Sequence, residues 1–375
     1  MSESDDVPPP GHNLQILCLV KRWAHHTASG GYDPIAAHLH ANTVVRPQLG
    51  HGVGRIAEKA WHFMYGEKSY LLKYGFEDRI SEERAFWKAW LTRADIVFVP
   101  YGDEQLDMLL RRGRGLPGPL VATFHLPSAN TAQRFEATQR KHIRHLGGAF
   151  VVASSEVSRF SDLLGDRNVM FVPLGVDTDA FRSGAGNSTA TARFLFIGLH
   201  MRDFDVAHIV ADRCARDGFD VVFDVVLPAD RMGFFTGCAN VRRHSNISEA
   251  ALIGLYQSSD ALFLPLLDAT ASCAIVEALA CGTPAISTRV GGIPDYVDDT
   301  SGWLLTPRDA DEAFECVRAI INDRDCARIR RVGARAKAES FAWPRVAARM
   351  RAAFARLRET GHLAADGADA RQWPV

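Results

Sequence analysis

Residues 262–305 read LFLPLLDATASCAIVEALACGTPAISTRVGGIPDYVDDTSGWLL. Leu262–Leu266 is a short apolar run of strand type, and Asp268-Ala-Thr-Ala-Ser272 is a turn of small residues. Over Cys273–Cys281 the apolar positions Ile275, Val276, Leu279 and Ala280 recur at helical spacing, with Glu277 as the one charge. Gly282-Thr-Pro284 stops that helix. Ala285–Ser287 reads as a second buried strand, and Gly291-Gly292 opens another tight turn. Strand, turn, helix, stop and strand make a βαβ unit. Its first turn leaves backbone N–H groups free at a helix start, a natural seat for phosphate. Glu277, one turn further on, can accept hydrogen bonds from sugar hydroxyls beside that phosphate. The stretch therefore suggests a nucleotide-sugar site. The same pattern also describes an ordinary buried crossover, although ligands favour such strand ends.

Working outward, 375 residues suit two domains, and 47% apolar residues suffice for two packed cores. A formal charge of −1 argues against a bulk electrostatic nucleic-acid binder. None of the seven cysteines stands in a C-x-x-C spacing, which suits a reduced, cytoplasmic interior. No apolar run approaches the ~18 residues of a spanning helix, and the acidic N-terminus lacks a signal-peptide core. Contact with a membrane surface stays open; insertion does not.

Residues 1–12 read as a disordered tail. Leu14–Val20, Ile96–Pro100, Leu120–Phe124, Ala149–Ala153 and Val169–Val172 are continuous apolar runs, as expected of a buried parallel sheet. Gly30-Gly31 permits a tight turn after the first run, and Asp33-Pro34 starts a helix. That loop could bring backbone N–H groups near a charged ligand, or could be purely structural. His125 directly follows a strand, at the edge where open α/β sheets bind ligands, so substrate contact stands beside a structural role. Residues 51–93 hold nine of the 35 aromatics and eight Lys or Arg. They read either as core-packed helices or as an acceptor-binding or membrane-apposed surface.

Residues 182–192 have linker composition. Arg193–Gly198 and Val221–Val226 are further strands, and Ser248 is a possible cap for a helix over 248–256. Arg202 falls at a strand's C-terminal edge, where a guanidinium can take phosphate oxygens; Asp203 could neutralise it instead. Helical patterns follow at 310–322, 326–340 and 343–360.

Taken together, these residues resemble a retaining glycosyltransferase of the GT-B fold, family 4. Glu277-Ala-Leu-Ala-Cys-Gly-Thr-Pro-Ala-Ile286, Gly291-Gly-Ile-Pro-Asp-Tyr-Val297 and Gly302-Trp-Leu-Leu305 resemble its donor-site signature. Val172–Phe181 and Phe194–Gly198 resemble the entry to its second domain and that domain's first strand. Gly30-Gly31, His125 and Phe341-Ala-Trp343 fall in the family's order. The resemblance implies an α/β architecture of two Rossmann-like domains with parallel sheets facing a central cleft, over 13–175 and 176–342. A crossing helix and tail at 343–375 would return to the first domain.

It also implies metal-independent sugar transfer with retention, from a UDP- or GDP-sugar substrate and with no tightly bound cofactor. Glu277 would hold the ribose, while the backbone of Thr270, Ala271 and Ser272 and the Gly30-Gly31 loop would meet the diphosphate. His125 would lie near the sugar. The acceptor would be a glycan, a lipid-linked precursor or a small molecule. Two departures matter. The family's second Glu, eight positions before Glu277, is here Ala269, with Asp268 as a candidate substitute. The family's diphosphate Arg…Lys pair leaves only Arg202. A non-catalytic GT-B protein binding a nucleotide sugar or a partner protein is the alternative.

Overall fold

The computed structural model describes residues 14–21, 29–46, 75–112, 115–127, 142–365 and 370–373. The expected tail and residues 51–74 of the aromatic-rich segment lie outside them. Two units divide the chain. The first takes residues 14–21, Tyr32–Val172 and Pro344–Trp373; the second takes Pro173–Trp343, and residues 29–31 group with it.

In the first unit β1 (Ile16–Leu19), β2 (Thr43–Val45), β3 (Ile96–Val99), β4 (Leu120–Phe124), β5 (Gly148–Val151) and β6 (Val169–Phe171) form one sheet. Its order is β2-β1-β3-β4-β5-β6, and every pairing is parallel. β1, β3, β4, β5 and β6 are buried along their whole length, which explains their unbroken apolar runs. The final helix, Trp343–Thr360, belongs to this unit from Pro344 onward. Phe354 on it packs against Phe98 and Phe150, with ring centroids 5.4 and 5.6 Å apart. Helix Phe76–Thr92 buries Ala85, Phe86 and Ala89, but leaves Trp87 and Trp90 exposed. Its aromatics are therefore split between core and surface.

In the second unit β7 (Ala192–Ile197), β8 (Val221–Val226), β9 (Val241–His244), β10 (Ala261–Leu264), β11 (Ala285–Thr288) and β12 (Gly302–Leu305) make the other sheet, also parallel. The order β12-β11-β10-β7-β8-β9 is the doubly wound Rossmann order, and winding reverses between β7 and β10. β9 was not visible as an apolar run. It is an edge strand reading Val-Arg-Arg-His, with both arginines exposed. The linker-like stretch is anchored: Asp260 accepts 2.8 Å bonds from Asn187 Nδ2 and Arg324 Nη2. Gly175 has a steric reason, since a Cβ there would lie 2.2 Å from the Trp343 ring.

Candidate functional site in the second unit

At the reversal point, the loops after β7 and β10 run side by side. Arg202 and Leu266 form an antiparallel bridge, the Asp203 amide donates to the Pro265 carbonyl at 2.9 Å, and the Leu267 amide donates to Met201 at 2.9 Å. Ligands of doubly wound sheets bind at this place, outside the carboxyl ends of the strands.

The helix Cys273–Ala280 follows the second of these loops, within a residue of its expected span. Small and aliphatic side chains let it lie buried from Ala274 onward. Ser272 caps it in an extended conformation, φ −142° and ψ 119°. The Ser272 side chain bonds no helix amide; its Oγ is buried and has no hydrogen-bond partner among the described residues. A free hydroxyl thus joins the unsatisfied N–H groups of a helix start. Gly282, at φ +69°, ends the helix, and the Thr283 hydroxyl donates to the Tyr256 carbonyl at 2.6 Å.

Glu277 is one turn into that helix and 9% exposed. Tyr256 donates its hydroxyl to Glu277 Oε2 at 3.0 Å, the carboxylate's one hydrogen bond among the described residues. Burial raises the Glu277 pKa to about 7, against the Tyr256 bond, with Glu249 adding to the rise. Sequence reading missed Tyr256, because nothing in the spacing of residues 256 and 277 announces the pair.

Arg202 does not pair with Asp203. The Asp203 carboxylate caps the following helix, accepting from Val206 N at 3.1 Å. The Arg202 guanidinium instead donates through Nε to the Ile197 carbonyl and through Nη1 to the His200 carbonyl, each at 2.9 Å. Burial lowers its pKa to about 10, so it stays charged at neutral pH. The Arg202 backbone bridges Leu266, on the loop that leads into the helix, and the Tyr256 and Cys273 side chains raise the Arg202 pKa against the burial. Two carbonyls hold the guanidinium, and Nη2 makes no hydrogen bond among the described residues.

Asp268 is half-buried and makes no hydrogen bond or ion pair among the described residues. Ala269 is 9% exposed, and its carbonyl accepts from Gly292 N at 2.9 Å. Gly291 lies so close that a Cβ would stand 2.1 Å from that carbonyl, and its φ is +49°. Thr270 is buried, Ala271 partly exposed. The structure thus gathers Arg202, Asp268, Thr270, Ala271, Ser272 and Glu277 within two adjoining loops and one helix. Residues 29–31 group with the same unit: the Ser29 amide donates to Glu249 Oε1 at 2.9 Å, and the Gly31 backbone faces the Cys273 thiol.

His125 belongs to the first unit, directly after β4. Its Nε2 lies 2.7 Å from the Pro100 carbonyl, so that nitrogen carries the proton. The rings of Tyr32 and Tyr101 stand 4.6 and 5.2 Å from it. Asp103 Oδ2 accepts from the amides of His125 and Leu126 at 2.5 and 3.3 Å and fixes the turn. Burial raises the Asp103 pKa to about 7, although those two amide bonds lower it. Asp103 was also invisible beforehand, as one acid in a polar loop 22 residues from its partner.

Among the described residues, no group of three or more His, Cys, Asp or Glu could hold a metal ion. No described helix is long and apolar enough to cross a membrane.

Residues 237–339 match the family model described as glycosyl transferases group 1. Among curated relatives, the MMP alpha-(1->4)-mannosyltransferase of Mycolicibacterium hassiacum is 27% identical over 63% of this chain and 65% of its own. The GDP-mannose-dependent alpha-(1-6)-phosphatidylinositol dimannoside mannosyltransferase of Mycobacterium tuberculosis is 35% identical over 33% of this chain and 29% of its own. The chain thus matches less than two thirds of the length of either relative. Among solved structures, a Rickettsia africae glycosyltransferase superposes with a TM-score of 0.66 at 14% identity, covering 93% of this chain and 99% of its own. Anabaena HepE, crystallised with UDP and glucose, gives 0.63 at 14% identity, over 89% and 97%. These likenesses show the fold.

Proposed function

We propose that this chain, a GT-B homologue of the group 1 glycosyl transferases, moves a sugar from a nucleotide-diphosphate sugar to an acceptor hydroxyl with retention. The observation that carries the reading is the convergence at the β7/β10 reversal. A guanidinium held by two carbonyls, a helix start with a buried hydroxyl that has no partner among the described residues, and a carboxylate one turn further on meet there.

Each group has a role on this reading. The amides at Thr270, Ala271 and Ser272 and the Ser272 hydroxyl receive the diphosphate, with Arg202 against its oxygens. When the glycosidic bond breaks, negative charge grows on the departing diphosphate. A helix start and a fixed cation stabilise that charge without reorganising. The Glu277 carboxylate accepts from the ribose hydroxyls, with Tyr256 holding its other oxygen. Asp268 is assigned to the transferred sugar, in place of the glutamate absent at Ala269. His125, with its ring fixed by Pro100, is assigned to the sugar from the first unit. Gly30-Gly31 is assigned to the phosphates, and the first unit to the acceptor, which is a glycan, a lipid-linked precursor or a small molecule.

Both UDP- and GDP-sugars are in range, since the relatives' names include a GDP-mannose-dependent enzyme and a structure with UDP. The test is release of nucleoside diphosphate from a panel of UDP- and GDP-sugars, with and without lysate acceptors. Turnover of one donor supports the transferase. Saturable donor binding with no release on any donor favours the alternative, a non-catalytic binder of nucleotide sugars.

A further inference from the structure

Residues 29–31, which group with the second unit, meet the starts of two neighbouring helices there. The Ser29 amide donates to Glu249 Oε1 at 2.9 Å, and the Gly31 backbone faces the Cys273 thiol. Glu249 opens the helix Glu249–Gln257, and Cys273 opens the helix Cys273–Ala280. Tyr256, near the far end of the first helix, ties it to the second through Glu277. Between the two anchored residues, Gly30 is buried, and its amide makes no hydrogen bond among the described residues. Gly31 turns the chain at φ +89°, a conformation that a side chain would oppose.

By charge alone, Glu249 is out of place. It is half-buried, has no ion-pair partner among the described residues, and adds to the rise of the Glu277 pKa. A diphosphate bound at this edge of the sheet would be repelled by it. The bond to Ser29 supplies the reason for an acid here. A carboxylate accepts from a backbone amide more strongly than a neutral group does. At the first position of a helix it is also favoured by the helix dipole.

We propose that Glu249 is a positioning residue: it fixes Ser29 so that the Gly30 amide is kept in place for the donor's diphosphate. The proposal rests on the donor reading given under the preceding heading. A buried amide without a partner is costly in the empty protein, and an anion is the acceptor that would relieve it. A loop pinned on both sides of that amide has little ordering left to do when the anion arrives. Glu249 acts through the loop and touches no part of the donor itself.

The experiment is calorimetric titration of the full chain with UDP, GDP, uridine and guanosine, at about pH 8.5 so that Glu277 is ionised in parent and variants alike. Hydrogen–deuterium exchange is followed in parallel in the peptide spanning residues 29–32. Glu249→Ala should weaken the nucleoside diphosphate that binds by about tenfold and leave its nucleoside unchanged. It should also speed exchange in that peptide. Glu249→Gln keeps an oxygen for the Ser29 amide and should restore both quantities to within about threefold of the parent. An unchanged thermal transition verifies folding. Equal losses with nucleoside and diphosphate would mean that Glu249 touches the base or ribose, and would overturn the proposal. So would a Glu249→Ala variant with the parent's exchange or the parent's diphosphate affinity, or a Glu249→Gln variant no better than Glu249→Ala. A parent that binds neither diphosphate would defeat the donor reading and the proposal with it. A parent that binds one, with Glu249→Ala indistinguishable from it, would defeat the proposal alone.

Discussion

Tyr256, fully buried, donates its hydroxyl to Glu277 Oε2 at 3.0 Å, and this bond opposes the burial that lifts the Glu277 pKa to about 7. The tyrosine thus helps keep a carboxylate ionised where ribose hydroxyls would donate to it.

Donor affinity should therefore depend on pH. A pKa near 7 means that raising pH from about 6 to about 8 converts Glu277 to the form that accepts two hydroxyl donors. Calorimetric titration with the donor should show tighter binding across that window. Glu277→Gln should weaken binding and flatten the dependence. Tyr256→Phe should shift its midpoint upward, since the bond it removes lowers the Glu277 pKa. A slope retained in Glu277→Gln would refute the assignment.

Arg202→Ala should lose a charge-assisted contact to phosphate worth about 1.5–3 kcal/mol, or roughly 10- to 150-fold in Kd. The loss should appear with the nucleoside diphosphate and be absent with the nucleoside alone. Equal weakening of both would mean that the guanidinium only braces the loop through Ile197 and His200.

Asp268→Ala should relax discrimination among sugars more than it weakens the bare nucleotide, since the carboxylate has no structural partner among the described residues to lose. Competition between donors by thermal shift reads both quantities. If both change equally, Asp268 is not reading the sugar.

Gly291→Ala should destabilise the chain by about 2 kcal/mol or more, because it combines a positive φ with a Cβ directed at the Ala269 carbonyl. Urea unfolding would measure this. A midpoint equal to the parent's would show that the two loops can move apart.

Asp103 has a folded pKa raised from 3.8 to about 7. Its contribution to stability is thus fully present below the lower value and is lost as pH rises through the higher one. Asp103→Asn should flatten stability across that interval while retaining an acceptor for the amides of His125 and Leu126. Denaturation midpoints at several pH values would check it, and an unchanged pH profile would contradict it.

What could be read beforehand follows from how each feature is encoded. Fully buried parallel strands such as β3, β4 and β10 write themselves as unbroken apolar runs. The helix Cys273–Ala280 is bounded by residues whose backbone preferences are strong. Glu277, Asp268 and Arg202 were legible because they stand at strand ends and helix starts. Features that depend on which side chains meet across space were not legible. Tyr256 with Glu277 and Asp103 with the amides of His125 and Leu126 belong to that class, whereas Asp203, set against Arg202 in the sequence reading, is a local cap only three residues from the Val206 amide. β9 escaped because an edge strand with Arg242 and Arg243 exposed has no apolar run to show. Phe86 and Trp87 are neighbours in sequence, yet one is buried and the other exposed, so composition alone could not separate core from surface in residues 75–93.

The carbonyl of Ala269 is fixed from outside its own loop: the Gly292 amide bonds it, and Gly291 leaves room for the approach. The backbone at 268–269 is thereby specified by a different βα junction from the one that carries it. Mutations at these two positions can change which hydroxyl or charge faces a ligand while the scaffold behind them keeps its course. On the proposed role of Asp268, such a division separates sugar preference from the stability of the fold.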